Sequence, residues 1–306
     1  MLRKLIGLGL VAAIIGFAAF WYLTAPQSVP ESALASLYTP DLANGKTMFN
    51  IGGCAACHAP GKDQRTRLGG GAALKSPFGT FYAPNISSDR NDGIGAWTEA
   101  QFVTAMNKGT SPAGEHFYPS FPYTSYQRMA FSDLRDLFAY LKTLPAVQGR
   151  VRDHDLPFPF TIRRLLGGWK LLFLDGKPFT PDPAQSVQWN RGAYLVNGPG
   201  HCAECHSPRN SLGGMLSGEQ FAGGPNPEGE GWVPNITQKG LGGWSVKDIA
   251  YLLQSGMTPY FDSVGGSMTA VIRNTSQLSD ADRLAMAVYI KSLKPIDGPT
   301  PPAKKK

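Results

Sequence analysis

The sequence predicts an all-α fold, in which two tandem copies of one helical unit follow a single N-terminal transmembrane helix. Three observations predict it. The chain opens on an uncharged apolar run, it repeats itself about halfway along, and both copies show helical spacing with capping residues and no convincing strand alternation. At 306 residues there is room for two ordinary domains. Hydrophobic residues at 42% against charged residues at 17% suit a folded chain rather than a disordered one. The 36 Gly and 25 Pro predict many loops and short elements.

Arg3 and Lys4 precede an uncharged run from Leu5 to Leu23. At about 1.5 Å per residue that run covers roughly 28 Å, close to a bilayer core. Trp21 and Tyr22 stand at its far end, where interfacial aromatics belong, and the two cations ahead of it orient the N-terminus to the cytoplasm. Everything after Thr24 is then exported. A cleaved signal peptide is the competing reading. The length of the run and the lack of a small-x-small site favour an uncleaved anchor over residues 1–24.

The two copies cover 36–146 and 186–296. Asn44-Gly45-Lys46 is echoed by Asn190-Arg191-Gly192, Pro84-Asn85-Ile86 by Pro234-Asn235-Ile236, and Gly95-Ala96-Trp97-Thr98 by Gly242-Gly243-Trp244-Ser245. In each copy a first helix leads into a cysteine frame. A middle helix starts at a capping box, Thr98 with Gln101 or Ser245 with Asp248. A last helix starts at Ser132 or at Ser279 and ends before Pro145 or Pro295. Its apolar positions recur at helical spacing: Leu134, Leu137, Phe138 and Leu141, then Leu284, Ala287, Val288 and Leu293. Trp97 and Trp244 fit core filling or packing at a cofactor edge equally well.

All four cysteines fall in two frames, Cys54-Ala55-Ala56-Cys57-His58 and Cys202-Ala203-Glu204-Cys205-His206. This is the spacing of c-type haem attachment. Two thiols three apart on a helical turn each bond one haem vinyl carbon, and the next histidine ligates iron from the proximal side. From this composition such a frame arises by chance in roughly one chain in a thousand. A structural zinc site would not require a histidine after each pair. A thioredoxin-like disulfide would want a βαβ pattern nearby. The expectation is two covalently bound haem c groups, with His58 and His206 as proximal axial ligands.

A stable electron carrier needs a second axial ligand, and Met gives a higher potential than a second His. In copy two, Met268 lies in a loop with Gly265 and Gly266, and Met257 is the weaker rival. In copy one, Met129 competes with His116, which would make a bis-His haem. Met129 also fits a hydrophobic staple ahead of the last helix. His154 and His201 fit neither ligand loops nor a cluster, and His201 is expected to hydrogen-bond locally.

The connector, 147–185, carries Thr161-Ile162-Arg163-Arg164-Leu165-Leu166-Gly167-Gly168-Trp169-Lys170-Leu171-Leu172-Phe173-Leu174. It reads as a helix clasping the two units together, or as an interfacial helix on the membrane. The tail, 297–306, is Pro-rich and lysine-terminated and is expected to be disordered. The net charge of +7 fits a mildly basic surface or attraction to acidic partners and anionic lipid. It does not suggest nucleic acid, because the cations are scattered and no nucleic-acid motif accompanies them.

These features together are the pattern of tandem class I cytochrome c domains. The chain resembles the dihaem cytochrome c subunits of membrane-bound alcohol or aldehyde and related periplasmic dehydrogenases. The runs that carry the resemblance are Phe117-Tyr118-Pro119-Ser120-Phe121-Pro122-Tyr123-Thr124-Ser125-Tyr126, Arg191-Gly192-Ala193-Tyr194-Leu195-Val196, Gly200-His201-Cys202-Ala203-Glu204-Cys205-His206-Ser207-Pro208-Arg209-Asn210 and Gly266-Ser267-Met268-Thr269-Ala270-Val271. The resemblance supports Met268, and it puts Phe121 where some relatives have Met. It implies an electron carrier rather than an enzyme, fed by a periplasmic dehydrogenase and emptied by a soluble cytochrome, a terminal oxidase or the quinone pool. It also implies a single-pass protein of the bacterial inner membrane with its haem domains in the periplasm. The rival is a peroxidase-like dihaem enzyme with one reactive haem. A candidate Met for each haem argues for transfer instead.

Overall fold

The computed structural model describes residues 2–229 and 231–301. Helix α1, Leu2–Leu23, buries none of its residues against the rest of the chain. By length and composition it is long and apolar enough to cross a membrane.

The first repeat contains α2 (Leu42–Ile51), α3 (Cys54–His58), strands β1 (Ala73–Ser76) and β2 (Gly79–Tyr82), α4 (Glu99–Lys108), α5 (Tyr123–Tyr126) and α6 (Phe131–Thr143). Helix α7, Leu165–Phe173, lies in the connector. The second repeat follows the same order with one added short helix, α10: α8 (Val187–Asn197), α9 (Cys202–His206), β3 (Gly224–Pro225), β4 (Trp232–Val233), α10 (Gln238–Leu241), α11 (Val246–Ser255), α12 (Met268–Thr275) and α13 (Asp280–Ser292).

The fold is mostly helical, and the expectation of an all-α chain is corrected by two antiparallel hairpins. β1 pairs with β2 in the register Ala73↔Tyr82 to Ser76↔Gly79, and β3 pairs with β4. Four residues are too few for alternation to stand out in sequence. The first hairpin is closed locally, by Ser76 Oγ donating to the Gly79 carbonyl and accepting from Phe78 N–H.

In each repeat the first helix crosses the last, α2 on α6 and α8 on α13. Both crossings are made on glycine. A Cβ at Gly45 would overlap the Asp136 carbonyl, and one at Gly192 the Ala285 carbonyl, which gives the repeated Gly a packing reason. The capping boxes at Thr98/Gln101 and Ser245/Asp248 form in full. Ser279 caps α13 through the Asp282 amide.

α6 departs from expectation. It begins at Phe131, with Ala130 at the cap and no side-chain cap bond. The carboxylate of Asp133 is engaged instead by Asn44 Nδ2 and by the Tyr194 hydroxyl. α13 departs too. Leu284, expected on the apolar face, is 38% exposed, whereas Ala287 is buried as expected and is joined there by Met286 and Ile290. Arg283 fixes this arrangement, because its guanidinium turns inward to the carbonyls of Thr275 and Ser276 at the end of α12. Buried apolar residues of both repeats join in one cluster that includes Phe102, Leu137, Leu195 and Met286.

α7 clasps three parts of the chain. Gly167 and Gly168 sit against Thr24 and Phe20 at the end of α1. Lys170 Nζ donates to the Lys108 and Gly109 carbonyls of the first repeat, both at 2.7 Å. Trp169 Nε1 donates to the Leu212 carbonyl of the second repeat at 2.9 Å. The expected disordered tail begins with docked residues. Asn235 holds the Ile296 carbonyl at 2.8 Å, and Asp297 pairs with Lys239 at 2.6 Å. The lysines 304–306 lie outside the described residues.

Candidate haem attachment sites

Both frames are built by one device. A residue in the left-handed region, Gly53 (φ 64°) in copy one and His201 (φ 39°) in copy two, turns the chain into a five-residue helix. That helix carries two thiols three apart with a histidine directly after the second. His58 Nδ1 lies 2.7 Å from the Pro84 carbonyl, and His206 Nδ1 lies 2.8 Å from the Pro234 carbonyl. A ring that donates from Nδ1 presents Nε2 as its ligand atom. Burial holds both rings below the ordinary histidine range, and so neutral, the form that ligates metal.

The backbone behind each ring is matched as well. Gly70 N–H donates to the His58 carbonyl at 2.8 Å, and Gly223 N–H to the His206 carbonyl at 2.7 Å. Both glycines have positive φ, 77° and 76°, and a Cβ on either would overlap the Pro84 or Pro234 segment.

The four cysteines are unpaired thiols. Burial pushes Cys54 and Cys202 up to about 12 and Cys205 up to about 11, and moves Cys57 the same way. A thiol poised for nucleophilic or exchange chemistry is shifted downward. Inert thiols three apart beside a neutral, oriented histidine fit a covalently held haem c. When bound, that group supplies an iron that cycles between two oxidation states.

The structure brings the two frames together. His201 Nε2 lies 3.4 Å from the Gly52 carbonyl, and the Tyr126 hydroxyl donates to the same oxygen at 3.1 Å. The Tyr126 and His201 rings meet edge to face at 5.7 Å. The local bond expected of His201 is therefore corrected: its partner is in the other repeat. Glu204, inside the second frame, accepts from the Thr124 hydroxyl and from Ser125 Oγ at 2.9 Å, both in the first repeat, and pairs with Arg209 at 2.6 Å. Its counterpart, Ala56, is exposed.

The distal candidates are placed as follows. Met129 is fully buried in the core, next to the Gly198 turn. Asp133 and Asp282 are 149 positions apart, as are Tyr140 and Tyr289, and that offset sets Met129 opposite Leu278, a buried apolar residue. His116 Nε2 lies 2.9 Å from the Thr24 carbonyl, which commits that ring to the exit of α1. Met268, read from sequence as a loop residue, is half-buried and opens α12. α12 packs on α2 and α3 of the first repeat. Met257 pairs with Ser263 across the loop that follows α11. Phe121 packs edge to face on Phe117, Tyr123 and Tyr126. His154 accepts from Tyr82 N–H at 3.1 Å. Trp97 and Trp244 are partly buried against the core.

Sequence reasoning missed the proline carbonyls and Glu204. The echo of Pro84-Asn85-Ile86 in Pro234-Asn235-Ile236 was the available signal for the first. An acidic residue inside one frame, with alanine in the other, was the signal for the second.

A helical scaffold that presents this frame defines a c-type cytochrome. The chain belongs to the cytochrome c family, whose model, described as "Cytochrome c", matches residues 42–145. It is 47% identical over 299 residues to a diheme cytochrome c-type protein of Cereibacter sphaeroides, covering 97% of this chain and 100% of that one. It is 37% identical to the cytochrome subunit of a fructose dehydrogenase of Gluconobacter japonicus, over 86% of this chain and 54% of the relative. It is also 36% identical to the cytochrome c subunit of a quinone-type alcohol dehydrogenase of Gluconacetobacter polyoxogenes, over 84% of this chain and 58% of the relative. The chain thus spans the whole of the first relative and little more than half of the other two. These relatives support electron transfer as the work of the family.

Proposed function

We propose that this chain is a membrane-anchored dihaem c-type cytochrome that passes electrons from a periplasmic dehydrogenase to the respiratory chain. The observation that carries the reading is the contact between the two attachment turns, Gly52 with His201. Two frames that begin on touching turns hold their redox groups as neighbours, and an electron accepted by one is handed to the other.

The chain's residues have separate tasks in this scheme. Cys54, Cys57, Cys202 and Cys205 hold the two haem c groups covalently, and His58 and His206 ligate from the proximal side, oriented by Pro84 and Pro234. Met129 and Met268 are the proposed distal ligands, and an axial methionine favours a high potential. The units are 36–146 and 186–296, with α1 as a single span that leaves both on the periplasmic side. The donor is a dehydrogenase subunit, as the names of the relatives suggest. The acceptor is a soluble cytochrome, an oxidase or the quinone pool.

The test is purification from native membranes in mild detergent, with identification of the co-purifying chains. A stoichiometric dehydrogenase subunit is the expected result. Recovery of the cytochrome alone, or with an oxidase, would remove the dehydrogenase from the scheme.

A further inference from the structure

α7 has two faces, and the hydrogen bonds to the two repeats account for only one of them. Trp169 and Lys170 turn inward to the carbonyls of the two repeats. Leu165, Gly168 and Leu172 follow at i, i+3 and i+7 and so share the other face. Gly168 on that face rests against the Phe20 ring of α1. Leu165, Leu171 and Leu172 are exposed, Leu172 at 68%. Phe158 (80% exposed) and Ile162, in the loop just before α7, extend the same apolar run. With Phe160, six large apolar side chains are exposed within fifteen residues, and such a run marks an interaction surface.

Position identifies what covers it. Phe20 lies within one turn of the end of α1 at Leu23, so α7 meets the span within about 5 Å of its end. That is the depth at which amphipathic helices rest in a membrane surface. The guanidinium of Arg164 stacks over the Trp21 ring at 4.2 Å and donates to the Trp21 carbonyl, which puts a cation and an interfacial aromatic at one level.

We infer that Phe158, Ile162, Leu165, Leu171 and Leu172 form a second membrane contact, seated among lipid headgroups beside the span. α7 thereby fixes the height and tilt of both haem-bearing units above the bilayer. The inference rests on the reading of α1 as a membrane span, and the test separates the two.

The full-length holoprotein is reconstituted alone in phosphatidylethanolamine/phosphatidylglycerol vesicles. Its four cysteines are taken up by haem, so Leu172→Cys, Phe158→Cys, Ile14→Cys and Tyr260→Cys each accept one nitroxide label. The labels are read by power saturation with oxygen and with a water-soluble nickel chelate. The expected result is nickel access at 172 and 158 several-fold below that at 260, with oxygen access approaching that at 14. Equal nickel access at 172, 158 and 260, with 14 still shielded, overturns the second contact and leaves the span standing. Nickel access at 14 as high as at 260 overturns the span and the second contact together. Protection of 172 only when a co-purified dehydrogenase is present makes the surface a protein interface and overturns the lipid assignment.

Discussion

The stretch between the middle and last helices is mostly covered in the first repeat, while in the second the loop ahead of α12 is open. In the first, His116, Tyr118, Tyr123, Tyr126 and Met129 are all buried. In the second, Tyr260 is 74% and Phe261 94% exposed. The frames, the proximal clamps and the helix crossings are the same in both. The difference comes from the neighbours: the first stretch lies under α7 and the end of α1 and against Glu204 of the second repeat, whereas in the second only α12 packs on the first repeat and the loop ahead of it stays open at Tyr260 and Phe261. A shared frame decides what is held, and its cover decides what can reach it.

Removing one frame is the strongest way to sharpen the contrast. Cys202→Ala with Cys205→Ala is expected to cut haem per chain by about half, measured as pyridine haemochrome, and the spectrum that remains belongs to the covered site. An unchanged haem content would mean that the second frame holds none.

Next in size is the cover itself. Tyr123→Ala empties a fully buried position and is expected to cost about 3–5 kcal/mol in denaturant unfolding. Tyr260→Ala is expected to stay within about 0.5 kcal/mol. Similar costs at the two positions would erase the distinction between covered and open.

Glu204→Gln weakens the bond between repeats. The charged acceptor of Thr124, Ser125 and Arg209 becomes a neutral amide, and the expected loss is about 1.5–3 kcal/mol. Combined with Ser125→Ala the loss should be less than additive, because the two residues share one contact. Full additivity would show that Ser125 and Glu204 are not coupled.

The smallest effect expected is one of pH. Burial, then the charge of Lys170, lowers His116 to about 4. The ring is therefore neutral in the fold and titrates near 6.5 when unfolded. The stability it contributes is complete above pH 6.5 and is lost as pH falls toward 4. Lys170, itself lowered to about 7 by burial, and Arg164 face the same ring and add to the cost of charging it. Amide exchange in α7 should therefore rise below pH 6.5 more than exchange in α11. Equal rises would free His116 from this role.

Much of this molecule was legible in the sequence because its causes are local. The frames need five consecutive residues each, the capping boxes four, and the repeat could be read from matched short runs. The apolar face of α6 followed from spacing alone, since Leu134, Leu137, Phe138 and Leu141 are all buried. The apolar face of α13 followed only in part: Ala287 is buried as expected, but Leu284 is exposed, because Arg283 turns inward and bonds to the end of α12. The hairpins were missed because short strands leave no period to detect. The bond from His201 to Gly52 spans 149 positions, and no local pattern announces it.

The sequence by itself determined that two thiol pairs and two histidines are presented on short helical turns, since thiol spacing and helix geometry depend on neighbours along the chain. Only the tertiary structure decided that the two turns touch, that α7 ties both repeats to α1, and that the loop after the middle helix is covered in one repeat and open in its twin. Those outcomes depend on which surfaces meet once each helix has buried its apolar face. That is a property of packing between distant segments, which no single run of residues encodes.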